Sequence, residues 1–206
     1  MRRAPRARRL TLLLAICATA LAGAAAWQQL PVIAADSGPQ AWPGGDITYW
    51  DGAGASPSID AAAARWNGSG VAIRFHRASS RANADVVFVA DRHTLRSRCG
   101  PQCLGLSSSI GRPDSGRVTV TLEPDLTGHA TALSVWVSMH ELGHVLGLQH
   151  REGTCSLMTP RAYDDACRAA PGAPQGSQLP VCPAGEDVAT AARLYGRRST
   201  VDMPCV

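Results

Sequence analysis

Three histidines in the C-terminal half of the chain are spaced in a way that strongly constrains the fold around them. His140 and His144 are four residues apart, so on a helix both imidazoles lie on one face, one turn apart. Gly147 can adopt the left-handed conformation that ends a helix and turns the chain sharply. His150 can then return to the same point. The spacing therefore predicts a helix, a turn and three imidazoles that can bind one metal ion.

An acidic residue completes this pattern. Glu141 lies three residues before His144, so its carboxylate reaches the same side of the helix. It can stay off the metal and take a proton from a zinc-bound water, because a catalytic zinc keeps its fourth position open. A chance match to the whole pattern in a chain of this composition is expected at roughly 1 in 100,000. We therefore predict one catalytic Zn²⁺ held by His140, His144 and His150, with Glu141 as the general base.

Two stripes of residues run along the helix predicted from about Thr131 to Leu146. One stripe ends in the metal ligands and consists of Leu133, Val137, His140 and His144. The other is apolar and consists of Val135, Met139, Leu142 and Leu146. A helix with two such faces is packed on both sides. We expect one face to point to the metal and its cleft, and the other to point into the core.

The remaining sequence predicts strands and helices in mixed order. Alternating or apolar runs predict strands over residues 46–50, 71–76, 85–90 and 117–122. A helix over residues 61–66, capped by Ser58 or Asp60, follows the first strand, and a last helix covers residues 186–195. Two longer stretches read as irregular, namely residues 91–109 and 151–183. This order is typical of an α+β fold.

The first residues have the composition of an export signal. Arginines crowd residues 1–9, an apolar run covers residues 10–22, and small residues suited to cleavage follow. We expect residues 1–26 to be a signal peptide, 27–41 a short tail and 42–206 the catalytic domain. An uncleaved membrane anchor is the alternative, but a bilayer span needs about 20 apolar residues. The protein is therefore expected to be secreted, with no stable membrane association.

The charge of the chain excludes one class of partner. The formal net charge is +4, but five arginines lie in residues 1–9. Without them, 15 basic residues face 16 acidic ones. A protein without a basic excess cannot release many counterions from phosphates. We therefore expect no nucleic-acid binding.

Seven cysteines are many for 206 residues. Cys17 lies in the predicted signal peptide, which leaves an even number, as expected for disulfides in an exported protein. Pairing of neighbours would join Cys99 to Cys103, Cys155 to Cys167, and Cys182 to Cys205. Sequence alone does not choose among the 15 possible pairings. A cysteine-rich zinc site is the alternative, but no paired CxxC spacing is present.

Residues 140–150 have the pattern His-Glu-x-x-His-x-x-Gly-x-x-His, and Met158 follows eight residues later. Together these features resemble the metzincin zinc endopeptidases. The resemblance is closest to the matrixin, or matrix-metalloprotease-like, catalytic domain, and extends over about residues 42–197. Four flanking segments contribute to it, namely Ala64-Arg65-Trp66, Ile73-Arg74-Phe75, Ala84 to Phe88, and Pro183 to Gly196.

This resemblance implies a metzincin, or zincin-like, fold with a mixed twisted sheet, an active-site helix and a C-terminal helix. It implies a secreted, monomeric zinc endopeptidase that acts on protein or peptide substrates. Met158 would form an apolar floor under the three histidines, in a Met-turn. Leu104, Gly105 and Leu106 would belong to an edge strand that binds the substrate, and Tyr163 would line the pocket beside the scissile bond.

The sequence also departs from the family pattern. Arg151 stands where matrixins usually have serine after the third histidine, and the stretch from Met158 to Tyr163 is one residue longer. The family's His/Asp-rich stretch is replaced by residues 91–106, so we expect no second zinc, and a Cys99–Cys103 disulfide would brace this loop instead. Calcium remains possible, with candidate ligands at Asp51, Asp125, Asp164 and Asp165.

A different function is a secreted binding module that keeps zinc only for stability, without catalysis. A purely structural zinc site usually closes with a fourth protein ligand. Such a site would have no use for Glu141 or for an open coordination position. The sequence therefore favours the enzyme over the binding module.

Overall fold

Five strands and four α-helices form the part of the chain that the computed structural model describes, which is residues 38–162, 167, 179–180, 182–183 and 185–198. The strands are β1 (Asp46–Asp51), β2 (Arg74–Arg77), β3 (Val86–Ala90), β4 (Gly105–Ser107) and β5 (Val118–Leu122). The helices are α1 (Ser56–Asn67), α2 (Arg92–Arg98), α3 (Ala132–Val145) and α4 (Gly185–Tyr195). The predicted α+β fold is confirmed. The predicted signal peptide lies outside the described residues.

The strands form one mixed sheet in the order β2-β1-β3-β5-β4. The first four are mutually parallel, and β4 is antiparallel to β5, with Leu106 opposite Thr121. At the centre, Val86, Val87 and Phe88 of β3 are all buried. Such a continuous apolar run is typical of a parallel strand covered on both faces. The short strand β4 lies at one edge of the described sheet and contains Gly105 and Leu106 of the expected edge strand, whereas Leu104 precedes it.

Helix α1 packs one apolar face against α3. Its fully buried face repeats at helical spacing through Ile59, Ala62, Ala63 and Trp66. The Trp66 indole Nε1 donates a hydrogen bond to the Met139 carbonyl in α3, at 2.9 Å. This bond satisfies a buried indole donor and fixes α1 against the helix that carries the histidines.

The predicted start of α1 was wrong. The helix begins at Ser56, earlier than Ser58 or Asp60, and has Pro57 in its first turn. The preceding turn is organised by Asp51, whose carboxylate accepts hydrogen bonds from Ser56 Oγ at 2.6 Å and from Ala53 N at 2.9 Å. An acidic residue before the helix thus replaces a side-chain cap at its first residue.

Helix α3 has well-defined ends. At its start, Thr131 and Ser134 form a reciprocal capping box, in which each side chain accepts a hydrogen bond from the other residue's backbone N–H. At its end, Gly147 has a φ of 97°, and its N–H donates to the carbonyl of His144. Every residue from 134 to 145 is buried, which agrees with a helix packed on both sides.

The segment between β3 and β4 is more ordered than its sequence indicated. Residues 91–109 were predicted to be irregular, but α2 lies within them. Asp91 caps this helix by accepting hydrogen bonds from Thr94 N at 3.1 Å and from Thr94 Oγ1 at 2.6 Å, and Leu95 anchors it in the core. Strand β2 also begins later than predicted, because Val71 makes only a single bridge, to Arg197.

Two disulfides join sequence neighbours, Cys99 to Cys103 and Cys155 to Cys167. Cys182 is disulfide-bonded as well, whereas Cys205 lies outside the described residues. The neighbour pairing is therefore confirmed for two of the three predicted bridges. None of the described helices combines the length and the apolar character needed to cross a membrane.

Candidate active site

The three histidines of the sequence pattern converge in space. His140 and His144 come from the last two turns of α3, and His150 returns after the turn at Gly147. The Nε2 atom of His150 lies 3.2 Å from Nε2 of His140 and 3.1 Å from Nε2 of His144. Among the described residues, these three form the one group of three or more potential ligand side chains close enough to share a metal ion.

Hydrogen bonds on the far side of two rings set their tautomers. His140 Nδ1 lies 2.9 Å from the Leu157 carbonyl, and His144 Nδ1 lies 2.7 Å from the Leu148 carbonyl. A carbonyl only accepts, so each Nδ1 must carry the proton and each Nε2 presents a lone pair. The Nε2 atoms of these two rings are thus available as metal ligands.

Burial also keeps the rings neutral. It lowers the pKa of His140 to about 3 and that of His144 to about 4, and the neighbouring histidines contribute in the same direction. The pKa of His150 is lowered by burial too. Neutral imidazole is the form that binds a metal ion, so the site does not first have to lose protons near neutral pH.

Glu141 is buried beside the histidines. Its side chain is 4 % exposed, and burial raises its pKa to about 8 while a hydrogen bond from the Ser107 backbone opposes that shift. Within the described part of the chain, its Oε2 atom has no hydrogen-bond partner. A buried, unpaired carboxylate oxygen is costly unless it has a function or a ligand.

Strand β4 passes very close to this carboxylate, and Gly105 makes the approach possible. A Cβ atom at Gly105 would lie 2.5 Å from Glu141 Oε1 and 2.9 Å from Val137 Cγ1. A larger residue would therefore collide with the carboxylate or with α3. The absence of a side chain at Gly105 therefore allows β4 to lie directly against Glu141.

Met158 packs against the same helix from the opposite side. It is fully buried, and a Cβ atom at Gly143 would collide with its Sδ atom. The Met158 carbonyl accepts a hydrogen bond from Arg151 N at 2.9 Å, which ties this turn to the residue after His150. The predicted role of Met158 as a floor under the three histidines stays a prediction.

The turn before Met158 is held by a residue that sequence reasoning did not single out. Asp187, in the first turn of α4, is 3 % exposed and accepts hydrogen bonds from Ser156 Oγ at 2.6 Å and Leu157 N at 2.9 Å. The carbonyl of the same Leu157 bonds to His140 Nδ1. Asp187 therefore restrains the backbone of Leu157, the residue whose carbonyl bonds to His140. No sequence pattern links positions 30 residues apart in this way.

The histidines and Glu141 open into a cavity of about 770 Å³ between β4, α3 and residues 160–162. Its walls include the predicted substrate-binding residues Leu104, Gly105 and Leu106, and the Cys99–Cys103 disulfide. Trp136 also lines it, with its ring centroid 5.2 Å from that of His140. Tyr163, the predicted pocket residue, lies outside the described residues.

The aspartates named as calcium candidates have other partners or lie outside the described residues. Asp51 organises the turn before α1, and Asp125 pairs with Arg92 at 2.8 Å. Asp164 and Asp165 are not among the described residues. Calcium therefore stays a prediction.

The comparison with protein families agrees with the geometry. The family model for matrixins matches residues 54–169, which is more than half of the chain. The chain belongs to the matrixin family. The predicted resemblance is thus confirmed, and matrixin membership implies a zinc metalloprotease. No curated protein matches the chain.

The donor set of this matrixin domain fits zinc. A tetrahedral ion with Zn–N bonds of about 2.0–2.1 Å separates two nitrogen ligands by roughly 3.3 Å. The two Nε2 separations from His150 are close to that value. Because Nε2 of His140 and of His144 carries a lone pair, His150 can donate a proton to only one of them. A cation satisfies all three rings at once.

Proposed function

We propose that this matrixin is a secreted zinc-dependent endopeptidase that hydrolyses peptide bonds in proteins or peptides. The observation that carries the proposal is the convergence of three imidazole Nε2 atoms beside a buried carboxylate, one oxygen of which has no hydrogen-bond partner among the described residues. A site built only for stability would not need such a carboxylate at its mouth.

His140, His144 and His150 would hold one Zn²⁺. When bound, the ion supplies Lewis acidity, which polarises the scissile carbonyl and lowers the pKa of a coordinated water. The hydrogen bonds from two of the imidazoles to the Leu157 and Leu148 carbonyls keep the rings oriented. Met158 would serve as the apolar floor of the site, because it packs tightly on Gly143 of α3.

Glu141 would act as the general base. Its carboxylate lines the cavity that holds the histidine nitrogens, and burial raises its affinity for a proton. It can accept a proton from the attacking water and pass that proton to the leaving amine. Gly105 leaves room for the carboxylate, because any side chain at this position would displace it.

The substrate would bind as an extended strand along β4. This strand pairs with β5 on one side and lies at the edge of the described sheet, so its other side can pair with a peptide. Leu104, Gly105 and Leu106 line the cavity and would position the peptide across the metal. Tyr163 stays our candidate for the pocket wall.

Secretion is supported by two features. The chain contains disulfides, which persist in oxidising compartments, and residues 1–26 have the composition of a signal peptide. We place the catalytic domain at residues 42–206, after a short tail at 27–41. Analysis of the intact mass of the exported protein would test the cleavage site.

A peptide library tests the enzymatic function. The exported protein, loaded with Zn²⁺, is incubated with a broad library, and cut sites are mapped by mass spectrometry. We expect internal peptide bonds to be cleaved, and cleavage to stop with a chelator and return with added zinc. Absence of cleavage by fully zinc-loaded protein would contradict the proposal.

A further inference from the structure

Ile110 is the one large apolar side chain that the described part of the chain leaves exposed. It is 43 % exposed and lines the active-site cavity, three residues beyond the end of β4. A single exposed apolar residue is common on protein surfaces and by itself carries no function. The backbone of this residue, however, is held in place on both sides at the wall of the cleft.

Hydrogen bonds fix the two residues that flank Ile110. Before it, the Ser109 carbonyl accepts a hydrogen bond from Ser107 Oγ of β4 at 2.9 Å. After it, the Gly111 N–H donates to the carbonyl of the predicted metal ligand His144 at 2.8 Å. Ile110 is therefore attached both to the edge strand and to the end of the helix that carries the histidines.

The segment that precedes β1 also holds this loop. The Arg112 N–H donates to the Gln40 carbonyl at 2.8 Å, and Gln40 Nε2 donates to Asp114 Oδ1 at 3.1 Å. Gly111 has a φ of 76°, and a Cβ atom there would lie 2.7 Å from the Gln40 carbonyl oxygen. The loop thus needs glycine at this position, and it cannot turn Ile110 away from the cavity without breaking these contacts.

A fixed apolar side chain beside a substrate cleft favours an apolar partner. An aliphatic group that covers it removes apolar surface of both from water, whereas an amide in the same place loses hydrogen bonds to water. Because the loop is already ordered, little conformational entropy is lost when the contact forms. Ile110 follows β4 along the chain, so a peptide that extends along this edge strand can reach it.

We propose that Ile110 is a specificity-determining residue that selects an aliphatic side chain, such as leucine, at one position of the substrate. That position lies on one side of the scissile bond, because Glu141 lies against Gly105 and Ile110 lies beyond it in one direction along the chain. Asparagine, which is similar to leucine in size and shape but has a polar end, is disfavoured there. The inference rests on the proposed peptidase function, because it names the class of peptide that the cleft accepts.

The test uses one peptide whose cut site has been mapped. Each of the four residues on either side of the scissile bond is replaced in turn by Leu or Asn, and kcat/KM is measured. At one position we expect Leu to be preferred over Asn by about 10-fold or more, as for other contacts in apolar pockets. Ile110→Asn should abolish this preference, whereas Ile110→Leu should retain it. The ratios at the other positions should stay the same, which separates the loss of one subsite from a general structural defect.

A matched control and a binding measurement complete the test. Ser109→Asn alters the residue before Ile110, which does not line the cavity within the described part of the chain, so this variant should keep the preference for Leu. The same series, built on a peptide that the zinc-loaded protein binds, gives affinities for the Glu141→Gln variant and needs no cleavage. A preference for Leu in binding, combined with no cleavage by the parent protein, would contradict the peptidase function alone. Equal values for Leu and Asn at every position, or a preference that survives Ile110→Asn, would overturn this inference.

Discussion

Replacing Asp187 by alanine should destabilise the domain and loosen the metal site together. The buried carboxylate accepts two hydrogen bonds from the turn before Met158, from Ser156 Oγ and Leu157 N. The alanine variant leaves both donors buried without this acceptor. Leu157, whose carbonyl orients His140, loses the hydrogen bond that its N–H donates to Asp187. One substitution, 47 residues beyond the first predicted metal ligand, thus lowers both the stability of the domain and its affinity for zinc.

The magnitude follows from these contacts. Hydrogen bonds to a charged group contribute about 1.5–3 kcal/mol each, so the loss is about 3–6 kcal/mol. For a domain of this size, each kcal/mol changes the melting temperature by about 2–4 °C, which gives a decrease of roughly 6–24 °C. Zinc affinity should fall about 10–100-fold, as is typical when the group that orients a ligand is lost. Asp187→Asn keeps one acceptor oxygen and should show about half of the stability loss.

The loss of stability is measured by thermal unfolding, followed by circular dichroism, with zinc and with a chelator. The loss of zinc affinity is measured by competition with a chelator of known affinity. Glu186→Gln is the matched control, because Glu186 is the preceding acid in the same helical turn and is mostly exposed. Its pairing with Arg151, at 3.4 Å, contributes at most about 1 kcal/mol. If Asp187→Ala melts within a few degrees of this control, the reasoning is refuted.

Three further predictions concern the same site. Gly143→Ala should destabilise the domain by about 1–3 kcal/mol, measured by denaturant unfolding, because the new Cβ atom would collide with Met158. A gain in stability, which is usual when alanine replaces glycine in a helix, would contradict this packing. Gly105→Ala should lower kcat/KM for a mapped peptide at least about 10-fold by displacing Glu141, and an unchanged value would count against that contact. Removing zinc that is present at 100 times its Kd should cost about 2.7 kcal/mol, seen as a lower melting temperature; equal melting with and without chelator would exclude binding to the folded site.

The sequence predicted the parts of this structure that depend on local periodicity. The helix carrying His140 and His144, the glycine turn and the return of His150 follow from spacing alone, because helix geometry fixes which side chains share a face. The strands were predicted because their residues alternate or form a short apolar run. Family resemblance added the metzincin type of fold and the place of Met158.

The remaining features depend on contacts between distant residues. Asp187 reads as an ordinary acid in the first turn of a helix, and nothing in its neighbours indicates that it holds the turn 30 residues earlier. Helix α2 was missed because its one buried anchor, Leu95, stands among polar residues and gives no periodic signal.

The central claim is that Glu141 performs proton transfer next to a metal held by the three histidines. The most direct test compares Glu141→Gln with the parent protein for zinc content and for kcat/KM on a mapped peptide. The account predicts one zinc per chain in both proteins and a rate at least ~10²-fold lower in the variant, since a positioned general base contributes about that much. Near-normal turnover by a fully zinc-loaded Glu141→Gln protein would contradict the account.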